Sequence, residues 1–149
     1  MKEIIVKDLG ELEKFAGELL QEIFVKKQSN TKAVVIALAG DLGSGKTAFV
    51  QLAAKELGIT EIITSPTFSI MKLYDVTGNA VFTKLVHMDA YRIEDISELR
   101  PLRFEEIIND KNNLICIEWP EKIQNVLPNN ILNVSIKILA DESRLITYN

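Results

Sequence analysis

Gly40-Asp41-Leu42-Gly43-Ser44-Gly45-Lys46-Thr47 decides the reading of this chain, because it fits the pattern G-x-x-x-x-G-K-[ST] at every fixed position. A triphosphate has to be wrapped by backbone N–H groups that all point inward, and side chains would block that approach. Gly40, Gly43 and Gly45 remove them. Lys46 supplies a charge within reach of the β- and γ-phosphates. The Thr47 hydroxyl stands in the first turn of a helix whose positive end favours anions, where it can ligate Mg²⁺. The flanks agree with the motif. Ala33-Val34-Val35-Ile36-Ala37-Leu38-Ala39 is a continuous apolar run, as a central parallel strand buried on both faces requires. Downstream, Phe49, Val50, Ala53, Ala54 and Leu57 recur at helical spacing before Gly58, which suits a helix C-terminus. The sequence therefore predicts a nucleotide-binding loop lined by Asp41, Leu42, Gly43, Ser44, Gly45, Lys46, Thr47 and Ala48.

With 149 residues, 47% of them hydrophobic and 26% charged, the chain is long enough to bury roughly 68–70% of its unfolded surface unaided. One domain spanning residues 1–149 is expected, since no low-complexity tract or internal repeat divides it. The longest wholly apolar run is too short to cross a bilayer, and Met1-Lys2-Glu3 is followed only by Ile4-Ile5-Val6, so a cytoplasmic protein without membrane attachment is expected. The single cysteine, Cys116, cannot close an internal disulfide and reads as a small buried hydrophobe inside Leu114-Ile115-Cys116-Ile117. One histidine and one cysteine exclude a zinc site of ordinary composition. A net charge of −4 argues against a basic stripe that grips nucleic acid, so direct, strong binding of tRNA or DNA is disfavoured and any such contact is expected only indirectly, while a basic partner surface stays open.

Along the chain, Lys2 to Lys7 reads as an edge strand, and Asp8 with Glu11 as a capping pair. Leu12, Phe15, Ala16, Leu19, Leu20, Ile23 and Phe24 then form one apolar helix face. Thr64-Ser65-Pro66-Thr67-Phe68 is a loop; Thr67 is the candidate for a switch threonine closing over Mg²⁺ and the γ-phosphate, with Ser65 behind it and a ligand-free hydroxyl turn as the alternative. Two strand-like runs, Ile70 to Val76 and Ala80 to Met88, flank Thr77-Gly78-Asn79 as a hairpin, which predicts a mixed sheet. The second run delivers Asp89, where a Walker B aspartate would sit beside Mg²⁺, although a strand-ending cap would look the same. His87 reads as a packed or surface imidazole. Asp95 to Asn109 looks helical, with Pro101 in its first turn or breaking it. Leu114-Ile115-Cys116-Ile117-Glu118-Trp119-Pro120 is another buried strand. It ends in a carboxylate where open α/β sheets bind ligands, so Glu118 can assist Mg²⁺ or orient water, or be merely an exposed strand end. A short helix from Glu121 to Val126, an alternating strand from Leu132 to Ile138 and a last strand from Arg144 to Tyr148 complete the chain. The fold class is α/β, a P-loop NTPase-like three-layer fold whose mixed sheet joins a parallel core to antiparallel hairpin strands.

Four motifs in this order, the glycine loop, Ser65-Pro66-Thr67-Phe68, His87-Met88-Asp89-Ala90-Tyr91-Arg92 and Ile117-Glu118-Trp119-Pro120, resemble the TsaE (YjeE) family, small bacterial P-loop ATPases of tRNA threonylcarbamoyladenosine (t6A) synthesis. The likeness runs from about Leu9 to about Ile136. It implies that Lys46 and Thr47 bind phosphates and Mg²⁺, that Thr67 acts as a switch threonine, and that Asp89 and Glu118 complete the Mg²⁺ and water environment. It also implies that Trp119 lies near the nucleotide or a partner, and that ATP hydrolysis resets a complex of the partners TsaB and TsaD. One departure is visible: the family usually has a glycine a few residues after Glu98-Leu99, where this chain has Arg103.

A small-molecule P-loop kinase is the rival reading, with Arg92, Arg100 and Arg103 as the only candidates for a phosphoryl-covering lid. A regulatory GTPase lacks support, because no N-K-x-D signature is present and Asp89-Ala90-Tyr91-Arg92 lacks the glycine of a D-x-x-G switch. A non-catalytic ATP-binding module conflicts with the joint presence of Lys46, Thr47, Asp89 and Glu118.

Overall fold

The computed structural model describes residues 1–66, 68–79 and 81–149. Seven strands form one mixed sheet in the order β1-β7-β6-β2-β5-β4-β3. They are β1 (Lys2–Val6), β2 (Val34–Ala39), β3 (Met71–Asp75), β4 (Lys84–Asp89), β5 (Asn113–Glu118), β6 (Leu132–Ile138) and β7 (Arg144–Tyr148). β2 sits mid-sheet and pairs in parallel with β5 and β6, and β5 pairs in parallel with β4. The pairs β1–β7, β6–β7 and β3–β4 are antiparallel. Mixed pairing follows directly from the β3–β4 and β6–β7 hairpins, since a short connection can only reverse the chain. The first of these hairpins is looser than its Thr77-Gly78-Asn79 signature predicts. β4 starts at Lys84, and Val76 N–H donates to Thr83 O at the base of the connection.

Helices cover both faces. α1 (Leu9–Lys26) and α2 (Lys46–Glu56) pack on one face and against each other, joined by Phe15 on Phe49 with ring centroids 6.0 Å apart. Asp8 caps α1 by accepting from Glu11 N, while the Glu11 carboxylate reaches back to Lys7 N at 2.6 Å. The opposite face carries Val35, Val86, Met88, Ile115 and Ile117, which pack with Leu99, Phe104 and Ile108. The strict alternation of β4 and β5 across these two cores places Leu85, His87 and Asp89, with Leu114, Cys116 and Glu118, on the α2 side.

The segment expected to be one helix from Asp95 to Asn109 is two pieces, a 3-10 helix at Ile96–Leu102 and α3 at Phe104–Asn109. Pro101 is accommodated inside the 3-10 helix, and the break falls at Arg103, whose backbone is left-handed with φ 55° and ψ 41°. This is the position where a glycine was expected, and its backbone is the one glycine adopts without steric cost. Arg103→Gly is therefore expected to stabilise the fold by about 0.5–1 kcal/mol, a rise of roughly 1–4 °C in Tm by thermal denaturation. A fall in Tm would mean that the exposed Arg103–Glu106 pair, at 3.9 Å, outweighs the backbone term. The predicted helix from Glu121 to Val126 is likewise two short 3-10 turns, Pro120–Lys122 and Gln124–Val126, because six residues flanked by Pro120 and Pro128 leave no room for sustained α-helical bonding.

Candidate nucleotide site

β2 ends at Ala39 in the middle of the sheet, and the chain turns through residues 40–45 into α2. Gly40 is required by crowding: a Cβ there would lie 2.6 Å from Ile136 O and from Ser44 Oγ. Gly45 is required by backbone angle: it caps α2 at φ 115°, with open space around its missing side chain. Gly45 thus leaves the head of α2 uncrowded, and a helix N-terminus favours an anion. Arg144, at the start of β7, donates from Nε to Ser44 O at 2.9 Å and from its terminal nitrogen to Glu142 O. Ser44 C=O and Gly45 N–H belong to one peptide unit and point in opposite directions, so the guanidinium that holds the carbonyl fixes the direction of that N–H. Sequence reading missed Arg144. An arginine 100 residues from the loop gives no signal until the β6–β7 hairpin is placed beside β2.

Lys46 is almost fully buried and turns back on its own loop, donating to Gly40 O at 2.5 Å and Asp41 O at 3.0 Å. Its ammonium lies 4.4 Å from the centre of the Trp119 ring. Burial holds its pKa below the ordinary lysine value, against the opposing pull of Glu118, Asp89, Glu121 and Asp41. Thr47 donates to both oxygens of Glu118, at 3.1 and 3.0 Å. Glu118 is therefore not an exposed strand end. It is 3% accessible and receives a second contact from His87 Nε2, 2.6 Å from Oε2. The expectation of a packed or surface imidazole was incomplete: His87 is fully buried, but as a partner of the candidate catalytic carboxylate. Its Nδ1 has no hydrogen-bond partner among the described residues, a burial that costs about 1–3 kcal/mol.

Asp89 stands opposite Glu118 in the β4–β5 register, accepts from Tyr91 N at 3.0 Å, and lies 3.4 Å from the Ser65 hydroxyl. Thr67, the candidate switch threonine, lies outside the described residues. Trp119 follows Glu118 with a left-handed backbone, φ 58°, and its ring contacts Tyr91 at 5.0 Å. Leu42 projects into solvent at the tip of the loop, and Ala48 lies half-buried in the first turn of α2. Cys116 is a buried thiol, as expected, with burial first and Glu118 second pushing its pKa up to about 12.

The donor set suits a hard cation held jointly with phosphates. Thr47 Oγ1, Asp89 and Glu118 offer oxygens only, and among the described residues no group of three or more His, Cys, Asp and Glu side chains forms a cage of its own. Mg²⁺ is commonly bound this way, by one or two carboxylates with the rest of its shell from water and substrate. The three arginines of the kinase reading are not gathered here. Arg92 stacks over Phe68 at 5.0 Å, Arg103 pairs with Glu106, and Arg100 lines a separate cavity of about 860 Å³ that includes none of residues 40–47.

A mid-sheet parallel strand, a glycine loop closing on a helix head, and carboxylates at the ends of the two adjacent parallel strands define the chain as an α/β protein with a Walker-type loop sequence. The family model for Threonylcarbamoyl adenosine biosynthesis protein TsaE matches residues 6–146. The chain belongs to the TsaE family. It is 43% identical over 115 residues to the tRNA threonylcarbamoyladenosine biosynthesis protein TsaE of Bacillus subtilis, covering 76% of this chain and 68% of that protein. To the protein of the same name from Treponema pallidum it is 37% identical over 113 residues, covering 76% and 79%. Among solved structures it is similar to Bacillus subtilis YdiB, with a TM-score of 0.73 and 28% identity over 99% of this chain and 83% of the other. Among the described residues no helix is long and apolar enough to cross a membrane.

Proposed function

We propose that this chain is a single P-loop NTPase domain that binds ATP with Mg²⁺ in the 40–47 loop and hydrolyses it in the service of t6A modification of tRNA, acting on a TsaB–TsaD partner complex in the cytoplasm. The observation that carries the reading is the convergence of Thr47, Glu118 and Lys46 at the head of α2, on a loop whose glycines leave room for phosphates. Lys46 gives up the Gly40 and Asp41 carbonyls and turns its ammonium to the β- and γ-phosphates. Thr47 with Asp89 and Glu118 would hold Mg²⁺, which when bound neutralises charge developing on the phosphate oxygens. Glu118, anchored by two donors, has a carboxylate oriented to accept a hydrogen bond from the attacking water. Trp119 and Tyr91 supply an aromatic wall beside Lys46.

Dependence on partners is supported by what surrounds this site. Leu42, Phe68 and Tyr91 are exposed, with Phe68 tied to Arg92, and Tyr91 to Trp119, leaving an apolar rim for another protein to cover. The test is phosphate release from Mg-ATP by the purified protein, alone and then with TsaB and TsaD. Slow release alone, rising on the order of tenfold with the pair, is expected. No response to the pair, together with a Glu118→Ala variant that behaves like wild type, would overturn the reading and redirect effort to phosphoryl acceptors.

A further inference from the structure

We propose that His87 is the positioning residue for Glu118: its Nε2 hydrogen holds one carboxylate oxygen and so keeps the group turned toward the Thr47 hydroxyl at the head of α2. The inference deepens the ATPase reading and rests on it. β4 and β5 run parallel with His87 opposite Cys116 and Asp89 opposite Glu118, so His87 sits one step diagonally behind Glu118 on the same face of the sheet. The imidazole is wholly inside, and Nε2 lies 2.6 Å from Oε2. With the Glu118 carboxylate as acceptor, the hydrogen of this contact is assigned to Nε2. Nδ1 meets no partner among the described residues, so Glu118 is the imidazole's one polar contact there.

A residue needed only to fill this space would not be polar. Its strand neighbours Val86 and Met88 are wholly buried and apolar, as are Leu85 two residues before it and Cys116 across the ladder. Leu or Met would pack here and leave no nitrogen without a partner. What the imidazole adds is a fixed donor. Glu118 ends a strand with three rotatable bonds in its side chain, and the one hydrogen that Thr47 shares between its two oxygens would leave the carboxylate free to follow the threonine wherever it turns. With His87 gripping Oε2 from the sheet, Thr47 is free to turn to another ligand while the carboxylate stays in place.

His87 is the only histidine in the chain, so nitrogen-15 spectra of the imidazole report on it alone. The expected spectrum has the hydrogen on Nε2, slow to exchange, and Glu118→Ala abolishes that protection. Three substitutions then separate geometry from packing. His87→Gln carries an amide donor near the Nε2 position, His87→Asn carries one near Nδ1, and His87→Leu carries none. With melting temperature and metal-free ADP affinity close to wild type, His87→Gln is expected to keep most of kcat and of the gain in nucleotide affinity that Mg²⁺ confers. His87→Asn and His87→Leu are expected to lose both by about tenfold. A bare Nε2 in the spectrum, a His87→Leu variant as active and as Mg²⁺-responsive as wild type, or Gln and Asn variants that fail equally would each overturn the proposal. If the wild-type protein releases no phosphate with its partners, the ATPase reading fails by itself. The spectrum and the Mg²⁺-dependent affinity still decide the role of His87.

Discussion

Lys46→Ala is expected to abolish tight ATP binding, raising Kd by about 100-fold or more in calorimetric titration, while leaving the fold intact. Among the described residues the Lys46 ammonium is held by Gly40 O, Asp41 O and the face of Trp119. Asp41 lies in the exposed part of the loop and its carbonyl can turn to water when the amine is gone, so the free protein loses little. The bound state loses a cation that no neighbour replaces, because the other charges about it, Glu118, Asp89, Glu121 and Asp41, are all acidic. Charge-assisted hydrogen bonds are worth about 1.5–3 kcal/mol each, and losing two of them corresponds to roughly 10²–10⁴ in affinity. An affinity within a few fold of wild type would mean that the loop does not bind nucleotide through its phosphates.

Glu118→Ala is expected to act differently, lowering kcat by about 10²–10³ while changing nucleotide affinity by much less. The carboxylate is set back from the loop, against Thr47 and His87, where it can meet the reacting end of a bound triphosphate rather than its whole length. Removing it also strands the imidazole of His87 without a polar partner among the described residues, so a stability loss of about 1–3 kcal/mol accompanies the kinetic one. Single-turnover hydrolysis with saturating nucleotide, on protein shown to be folded at the assay temperature, separates the two. Equal losses of affinity and rate would contradict the proposed role.

Much of this arrangement is legible in the sequence, and the limits are physical. The β2–loop–α2 unit is local: its apolar run, its glycines and its helical stripe lie within 26 consecutive positions, 33–58, and each constrains the next. The mixed sheet is equally readable, because the hairpin signature at 77–79 fixes strand direction without tertiary information. The His87–Glu118 contact was not readable. His87 sits inside one apolar run and Glu118 ends another, and only the register that sets Asp89 against Glu118 reveals that they meet. Arg103 could be flagged as the wrong residue type for its place, yet its left-handed backbone, and hence the split of one expected helix into two, follows from packing of Leu99 and Phe104 into the same core on either side of it. Trp119 was placed near the site by resemblance, but its contact with Lys46 depends on a left-handed turn that a residue before proline seldom takes.

The bond from Arg144 to Ser44 bears on how the protein is made. The loop and the residue that steadies it are 100 positions apart, and Arg144 opens β7, the strand on which β1 also depends for its pairing. At ribosomal speeds of about 5–20 residues per second, roughly 5–20 seconds pass between synthesis of the loop and synthesis of its brace. During that interval the nascent chain carries the complete glycine motif with the Ser44 peptide untethered and one edge of its sheet unbuilt. The candidate nucleotide loop is thus finished late in biogenesis, once β7 has paired with β6 and β1 and completed that edge of the sheet.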